Sequence, residues 1–451
     1  MSQPNKRTNV AKSPTDAKMN NIVSLCRRRA FLFQSSEIYG GLNGCWDYGP
    51  LGVELKRNIK NLWWQDMVTQ RDDVVGVDCS ILMNPKVWEA SGHLKSFTDP
   101  MVDCTQCKGR FRADHITNNQ CPSCGTKDKF TEVRHFNLMF KTFVGAMEDS
   151  TSQVYLRPET CQGIFANFDN IVSTSRVKVP FGIAQIGKAF RNEINPRNFT
   201  FRSREFEQME MEFFCPADPH EAAKWFEYWK TERYNWYIKY GIAKERLHLR
   251  EHEKNELAHY AAGCADIEYD FPFGRAELEG IANRTDYDLK QHSEFSKKDL
   301  RYFDQAANAR YFPHVIEPSA GADRGTLAFL VDAYVEETLE GGDVRTVLKF
   351  HPHIAPIKAA VFPLVNKDGM PEMAEKVYRD LKKNWNVFFD DKGAIGRRYR
   401  RQDEVGTPFC ITIDGESQAA HSVTVRHRDT MKQERVTVSN LVEFLTTHLG
   451  R

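Results

Sequence analysis

Arginine and acidic residues are concentrated between positions 190 and 210. The run begins with Arg191, Asn192 and Glu193. After a short loop it continues with Arg202 and with the segment 205–210, which mixes acidic and apolar residues. Arginine can grip phosphate in a bidentate way, and an aromatic ring within that segment can stack on a purine. Two strands and their loop would place both groups side by side and form a nucleotide site. The alternative interpretation is a solvated hairpin with surface ion pairs.

A second chemical segment, residues 317–325, combines small residues with an acid and an arginine. It contains Gly321, Asp323 and Arg324 and runs into the apolar stretch 327–334. Small residues allow a ligand to approach the backbone, and a helix start offers free N–H groups and a positive dipole end. A glycine turn before a helix is a weak indication alone. Combined with the first segment, it favours phosphate binding.

Four cysteines form two CxxC pairs with thirteen residues between them: Cys104, Cys107, Cys121 and Cys124. Four thiolates at this spacing suit tetrahedral Zn²⁺, with no open coordination position for catalysis. The pattern therefore predicts a structural zinc site, with disulfides or free thiols as the alternative. The other seven cysteines are scattered, which favours a reducing, cytoplasmic location.

The elements that position these groups can be read from periodicity. Apolar residues at helical spacing after Pro50 predict a helix, and β-branched and aromatic runs across residues 154–214 predict an antiparallel sheet. Asp218 before a proline predicts a helix N-cap and a helical insertion at about 216–265. Beyond about residue 350, strands alternate with helices. This alternation predicts a separate α/β domain.

Composition limits the function classes. The 451 residues are 41% hydrophobic and 27% charged, which is typical of a globular protein of two or three domains without a membrane span. Lys and Arg total 62 against 61 acids, so a polyanion must meet a local basic patch. Arg397, Arg398, Arg400 and Arg401 form such a patch. The polar residues 1–21 lack the apolar stretch of a signal peptide and are predicted to be a flexible tail.

These segments resemble the class II aminoacyl-tRNA synthetases. Residues 190–193 with Arg202, Phe206 and Glu210 resemble their motif 2, and residues 321–324 resemble motif 3. Residues 46–52, around Pro50, resemble motif 1, which in the family lies at the dimer interface. Residues 157–160, 206–210 and 277–286 narrow the resemblance to the bacterial homodimeric glycyl-tRNA synthetases, from about residue 30 to the C-terminus. Glu279 departs from it, because a bulky residue such as tryptophan is expected there.

The resemblance implies an α/β (α+β) fold. Its catalytic domain, residues 22–345, would be an antiparallel sheet flanked by helices, with a zinc-binding insertion at about 98–132 and the helical insertion at about 216–265. A mixed α/β anticodon-binding domain would occupy residues 350–451.

The resemblance also implies ATP-dependent activation of glycine and its transfer to tRNA(Gly) in protein synthesis, by a homodimer that uses Mg²⁺. In the family, the residues matching Arg191 and Arg324 hold the α- and γ-phosphates. The implied ATP-binding residues are Arg191, Asn192, Glu193, Phe201, Arg202, Phe206, Glu277, Leu278, Gly321, Asp323 and Arg324. The implied glycine-binding residues are Arg112, Glu159, Phe206, Glu207, Gln208, Met209, Glu210, Arg284, Glu317, Ser319 and Gly321, with Arg112 and Arg284 as alternatives for the carboxylate.

Two other functions remain open at this point. A prolyl or threonyl synthetase would share the fold and both arginines, but the glutamate set at positions 159, 210 and 317 disfavours it. A non-catalytic nucleic-acid-binding relative should have lost Arg191 or Arg324, and both are present.

Overall fold

The computed structural model describes residues 14–258 and 260–449. Its helices are α1 (Pro14–Arg28), α2 (Pro50–Trp64), α3 (Lys86–Ala90), α4 (His93–Ser96), α5 (Cys161–Ala166), α6 (Phe168–Ser175), α7 (Pro219–Lys239), α8 (Tyr287–Ser296), α9 (Ala322–Ala333), α10 (Met370–Leu381), α11 (Ile395–Val405), α12 (Ser417–Ala420) and α13 (Leu441–Leu449). Because α1 begins at Pro14, the predicted flexible tail is corrected for residues 14–21. Residues 1–13 lie outside the described part.

The strands are β1 (Leu32–Gln34), β2 (Trp46–Tyr48), β3 (Val74–Gly76), β4 (Thr98–Asp103), β5 (Arg110–Arg112), β6 (Arg134–Asn137), β7 (Lys141–Phe143), β8 (Gln153–Tyr155), β9 (Phe181–Phe190), β10 (Glu205–Cys215), β11 (Leu247–Glu251), β12 (Gly263–Phe271), β13 (Gly274–Thr285), β14 (Tyr302–Asp304), β15 (Ala309–Tyr311), β16 (His314–Gly321), β17 (Tyr334–Thr338), β18 (Val344–Leu348), β19 (Ala359–Pro363), β20 (Val387–Phe389), β21 (Phe409–Ile413), β22 (Ser422–His427) and β23 (Gln433–Thr437).

A seven-stranded sheet forms the centre of the molecule, in the order β11-β12-β13-β16-β10-β9-β3. All neighbours are antiparallel except β3 and β9. Because side chains alternate along a strand, β10 presents two different faces. Met209, Met211 and Phe213 enter the main hydrophobic core with residues of α2, α7 and α9. Gln208 and Glu210 point to the opposite side of the sheet. We call this side the chemical face, because it carries these two predicted site residues.

The predicted helix after Pro50 is confirmed as α2. Proline occupies its first turn, where the missing N–H costs nothing. Leu55, Ile59 and Trp63 are buried in the main core, as the spacing predicted.

The predicted sheet across residues 154–214 is interrupted by α5 and α6. Residues such as Ile171 and Val172 favour strands locally, but packing overrides that preference. Phe168 of α6 lies 4.6 Å, between ring centroids, from Phe214 of β10, and Phe165 of α5 joins the same cluster. The two helices therefore cover the far end of the chemical face of the sheet.

Helix α7 confirms the predicted N-cap, because the Asp218 carboxylate accepts hydrogen bonds from the backbone N–H groups of His220 and Glu221. Trp229 and Trp236 of α7 are buried in the main core, and β11 forms an edge strand of the central sheet. The segment predicted as a helical insertion thus supplies a layer of the central domain in this structure.

The C-terminal residues form a five-stranded sheet in the order β20-β19-β21-β22-β23, with its own hydrophobic core. β19 is parallel to both β20 and β21, and the remaining pairs are antiparallel. The alternating strand and helix predicted here is confirmed. None of the helices in the described ranges has both the length and the apolar character needed to cross a bilayer.

Candidate active site

A cavity of about 370 Å³ opens on the chemical face of the central sheet. It lies between the loop that joins β9 to β10, strands β13 and β16, and the start of α9. The predicted residues that line it are Arg191, Glu193, Phe201, Arg202, Phe206, Gln208, Glu277, Glu317, Ser319, Gly321, Asp323 and Arg324. The fold thus brings both arginine segments of the sequence to one cavity.

Arg191 and Arg324 enter this cavity from different elements. Arg191 follows β9, donates from Nε to the Pro158 carbonyl at 3.0 Å, and lies 5.3 Å from the Phe206 ring centroid. Arg324, in the first turn of α9, donates from Nε to the Phe201 carbonyl at 3.2 Å and lies 4.6 Å from the Phe201 ring centroid. Arg324 also donates from Nη1 to the Glu277 carbonyl at 3.4 Å and pairs with the Glu277 carboxylate at 3.1 Å. The remaining N–H groups of both arginines can bind an anion.

Glu277 reaches the same cavity because β13 contains a bulge. The register with β12 shifts between Ile267 and Glu268, which adds one residue, Leu278, to β13. An extra residue reverses which side the following side chains face. Glu277 therefore faces the cavity, whereas Glu279 is buried on the other side.

The Glu210 carboxylate lies beside the cavity and is held by four hydrogen bonds. Its Oε2 accepts hydrogen bonds from the backbone N–H of Thr160 at 3.1 Å and from the Thr160 hydroxyl. Its Oε1 accepts from Ser319 Oγ at 2.6 Å and from Gln208 Nε2 at 3.3 Å. The register of β10 and β16, which places Glu210 opposite Ser319, produces this arrangement.

Glu317 is paired with Arg284, which donates from Nη1 to Glu317 Oε2 at 2.9 Å. Arg284 also grips Asp288 through Nε at 2.8 Å and Nη2 at 2.9 Å. Burial raises the pKa of Glu317 to about 8, although Arg284 opposes that shift. These bonds use three of the five N–H groups of Arg284, so it retains donors for an anionic ligand.

Glu212 is a buried acid that the sequence analysis missed. The register places it opposite Glu317, and neither of its carboxyl oxygens has a hydrogen-bond partner among the described residues. Burial, and then the negative charge of Glu317, raises its pKa well above the ordinary value. Burial therefore favours the protonated, neutral form of Glu212. Its alternation with Glu210 and Gln208 in the sequence was the available signal.

Glu159 lies on the same side, just before α5. Its Oε1 accepts from Cys161 Sγ at 2.9 Å and from Gln162 Nε2 at 3.1 Å, and its Oε2 lies 3.2 Å from His93 Nε2. Burial alone would raise the pKa of Glu159. The facing His93, with a smaller effect from Arg284, instead holds it below the ordinary value, so the carboxylate is ionised.

Four predicted site residues are directed elsewhere. Glu207 faces the opposite side of β10, where its carboxylate pairs with Lys56 at 2.7 Å and Lys60 at 2.8 Å. Met209 is in the hydrophobic core on that same side, as is Leu278, whose side chain the bulge leaves buried. These three corrections share one cause, because a run of consecutive strand residues cannot all face one ligand.

The fourth residue, Asp323, lines the cavity but its carboxylate is occupied. Oδ1 accepts from Tyr48 Oη at 2.7 Å and Lys56 Nζ at 2.8 Å, and Oδ2 accepts from the Glu207 backbone at 2.7 Å. Asp323 thus ties the resembled motif 1 helix α2 to the start of α9. The Asp323 carboxylate is therefore engaged within the protein, one residue before Arg324.

Five further predicted residues lie outside the cavity lining. Glu210 and Arg284 contact it through Ser319 and Glu317, and the others are Glu159, Arg112 and Asn192. Arg112, on β5, pairs with Asp99 at 2.8 Å and Asp114 at 2.7 Å in the cysteine-bearing segment. Asn192 donates its backbone N–H to the Leu138 carbonyl at 2.7 Å. Arg284, in contact with Glu317, is therefore better placed than Arg112 to meet a substrate carboxylate.

The four CxxC cysteines converge as predicted. Cys104 Sγ lies 3.7 Å from Cys124 Sγ, and Cys107 Sγ lies 3.7 Å from Cys121 Sγ. Zn–S bonds of about 2.3 Å in a tetrahedron require sulfur separations of about 3.8 Å. The four sulfur atoms therefore fit a zinc ion.

The four arginines of the basic patch on α11 differ in their contacts: some bind other parts of the domain, and others stay available to a ligand. Arg398 is 2% exposed and donates to the carbonyls of Pro363, Leu364 and Asp390. Arg401 pairs with Asp390 at 2.7 Å. The prediction of tRNA contact for Arg398 is therefore corrected, because its guanidinium supports the fold of the domain. Arg397 is exposed and remains a candidate, together with Arg400.

Comparison with known proteins shows which families this chain matches. The tRNA synthetase class II core domain family (G, H, P, S and T) matches residues 140–334, and the anticodon binding domain family matches residues 358–448. A protein named glycine–tRNA ligase from Treponema denticola is 54% identical over 441 residues, covering 96% of this chain and 97% of the relative.

The chain belongs to the glycine–tRNA ligase family. Members with that name from Clostridium kluyveri and Geobacillus thermodenitrificans are each 55% identical, over 96% and 95% of this chain and over 98% and 97% of their own lengths. The resemblance and the fold class inferred from the sequence are confirmed. Among class II synthetases, the family membership favours glycine over the prolyl and threonyl alternatives.

Proposed function

We propose that this chain joins glycine to tRNA(Gly) in two steps, first forming glycyl-adenylate from glycine and ATP and then transferring glycine to the tRNA 3′ end. The observation that supports it most is that Arg191, Arg324 and the buried acid Glu317 line one cavity, with Glu210 hydrogen-bonded to its lining residue Ser319. A non-catalytic relative would have no need for both groups.

The cations act on the nucleotide. Attack of the glycine carboxylate on the α-phosphorus of ATP brings two anions together while negative charge grows, so fixed cations lower the barrier. Arg191 would hold the α-phosphate and Arg324 the γ-phosphate, with Phe206 stacked on the adenine. Mg²⁺ would enter with ATP and neutralise phosphate charge. Positioning and electrostatics suffice, so no side-chain nucleophile is required.

The acids act on the amino acid. Glycine offers an ammonium, a carboxylate and no side chain, so Glu210, Glu317 and Glu159 would surround the ammonium while Arg284 meets the carboxylate. Ser319 supports Glu210 through its 2.6 Å hydrogen bond. Contact with one methyl group is worth only about 1–3 kcal/mol, so alanine must be excluded by the tight acid wall.

The remaining features suit the same function. The C-terminal domain would bind the anticodon loop, with Arg397 and Arg400 near phosphates. The four cysteines would hold one structural Zn²⁺. Ile38 and Tyr39, next to the resembled motif 1, are 88% and 87% exposed, which supports a homodimer that covers them. Free thiols, Cys410 among them, suit a cytoplasmic enzyme.

Pyrophosphate exchange into ATP tests the proposal. With Mg²⁺, the purified chain is expected to catalyse exchange with glycine and not with the other nineteen standard amino acids. Exchange driven by proline or threonine would assign a different synthetase. No exchange with any amino acid, from a folded chain that binds ATP, would support the non-catalytic relative.

A further inference from the structure

His93 contacts Glu159, one of the acids proposed to bind the glycine ammonium, although the sequence did not point to it. Its Nε2 lies 3.2 Å from Glu159 Oε2, and the side chains are only 11% and 15% exposed. The other contacts of Glu159, from Cys161 and Gln162, come from the same short segment as the acid itself. Within the described residues, His93 is thus the long-range partner that anchors this carboxylate.

The orientation of the His93 ring is fixed from its other side. Ser91 Oγ lies 2.8 Å from Nδ1. The ring also makes an edge contact with Trp88 at 5.6 Å and a tilted contact with Phe97 at 5.3 Å, between centroids. Because the Glu159 carboxylate can only accept, the proton of a neutral ring belongs on Nε2, and Nδ1 then accepts from the Ser91 hydroxyl.

The backbone of His93 is held by the cysteine-bearing segment. Asn137, at the end of β6, donates from Nδ2 to the carbonyls of His93 at 3.0 Å and Leu94 at 3.2 Å. β6 pairs with β4, and β4 continues to Cys104. His93 therefore connects the insertion with the acid wall of the amino-acid pocket.

We propose that His93 is a positioning residue for glycine selection, which holds the Glu159 carboxylate in place beside the cavity. This inference rests on the proposed function. Without His93, Glu159 would lose its long-range anchor and could rotate or take up a proton. The pocket would then bind the glycine ammonium less tightly and would exclude an added methyl group less strictly.

The test compares His93→Leu with His93→Gln, and uses His248→Gln as the matched control. His248 also faces a carboxylate, Asp270, at 2.9 Å, but on strands β11 and β12 outside the cavity lining. Pyrophosphate exchange would give KM for glycine, KM for ATP, and the ratio of kcat/KM for glycine to that for alanine.

We expect His93→Leu to raise KM for glycine about tenfold, the equivalent of one hydrogen bond to a charged group, and to leave KM for ATP within about twofold. The preference for glycine over alanine should fall. His93→Gln should recover part of both effects, because its amide retains an N–H donor. His248→Gln should match the wild type in all three values.

A His93→Leu enzyme with wild-type glycine KM and alanine rejection would overturn the inference, as would equal increases in the two KM values. If that variant does not fold, Ser91→Ala replaces it, with a smaller expected rise in glycine KM alone. The proposed function fails separately, when the wild-type chain shows no exchange with glycine.

Discussion

Arg324 and Glu277 meet across the cavity, with 3.1 Å between Nη1 and Oε1, because one extra residue in β13 turns Glu277 toward the first turn of α9. Arg324 also holds the pKa of Glu277 below its ordinary value, so the pair is ionised. A phosphate entering the cavity would therefore meet an arginine that already has a partner. The carboxylate would be free to face the metal ion that accompanies ATP.

The pKa of Glu317 predicts that glycine binding depends on pH. Its folded-state pKa is raised to about 8, so in the empty pocket the acid is mainly protonated below that pH. Capture of an ammonium requires the carboxylate, and a proton must leave. KM for glycine should therefore fall as pH rises from about 6.5 to about 8, by up to about tenfold per pH unit, while KM for ATP changes less.

Glu317→Gln supplies the control for this prediction. The amide cannot ionise, so its glycine KM should be higher and nearly independent of pH. A wild-type glycine KM that stays constant over the same pH range would contradict the role assigned to Glu317.

Glu279 should stabilise the fold through its partner. Arg233 grips it with Nε at 2.7 Å and Nη2 at 3.1 Å, both side chains are buried, and Tyr237 donates to it at 2.8 Å. Removing one member of a buried pair leaves the other charge unpaired, so Glu279→Ala should cost about 3–5 kcal/mol of unfolding free energy.

Denaturant unfolding followed by tryptophan fluorescence measures this cost. Glu205→Ala, which breaks the exposed Lys188 pair, is the control and should cost less than about 1 kcal/mol. Joint replacement of Arg233 and Glu279 by apolar residues should cost less than Glu279→Ala alone. Equal costs for the exposed and the buried pair would contradict this account.

The sequence could predict an element when local residue pattern determines its conformation, and could not when contacts with distant residues determine it. Helix α2 was predictable, since its buried residues recur at helical spacing. Helices α5 and α6 were not, because the contact of Phe168 with Phe214 overrides local strand preference. The unexpected Glu279 has a physical explanation only in three dimensions, where Arg233 balances its charge.

The candidate site likewise contains residues that local pattern could identify and residues that only distant contacts bring into place. The two arginines could be identified from their local context. Strand alternation alone could have removed Glu207 and Met209 from the pocket and added Glu212, whereas the bulge at Leu278 left no sequence signal. His93 was likewise beyond prediction, because its contact with Glu159 joins two distant segments.

The cysteine site predicts one zinc ion per chain. Metal analysis of protein purified without chelator should give about one Zn²⁺, and Cys104→Ser with Cys121→Ser should abolish it. Hydrogen exchange should then rise in β4 to β6 and stay unchanged in β10. Protein grown with zinc that contains none of the metal, with all eleven thiols reduced, would contradict a metal site.

We expect different arginines of the basic helix α11 to affect tRNA binding and protein stability. Arg397→Ala with Arg400→Ala should weaken tRNA binding and reduce the slope of log affinity against log salt by about 1.4, the value for two phosphate contacts on single-stranded RNA. Arg398→Ala should instead lower the unfolding temperature, because it leaves three carbonyls without their donor. Salt titrations and thermal melts of the same variants would show whether the effects separate.

The most direct measurement of the central claim is single-turnover formation of labelled glycyl-adenylate from glycine and Mg·ATP. The wild-type chain should form about one adenylate per active site. Arg191→Ala and Arg324→Ala should each slow that step by about 100-fold or more, since each removes a cation fixed against the developing charge. Failure of the wild type to form adenylate, or undiminished formation when both arginines are replaced, would contradict the account.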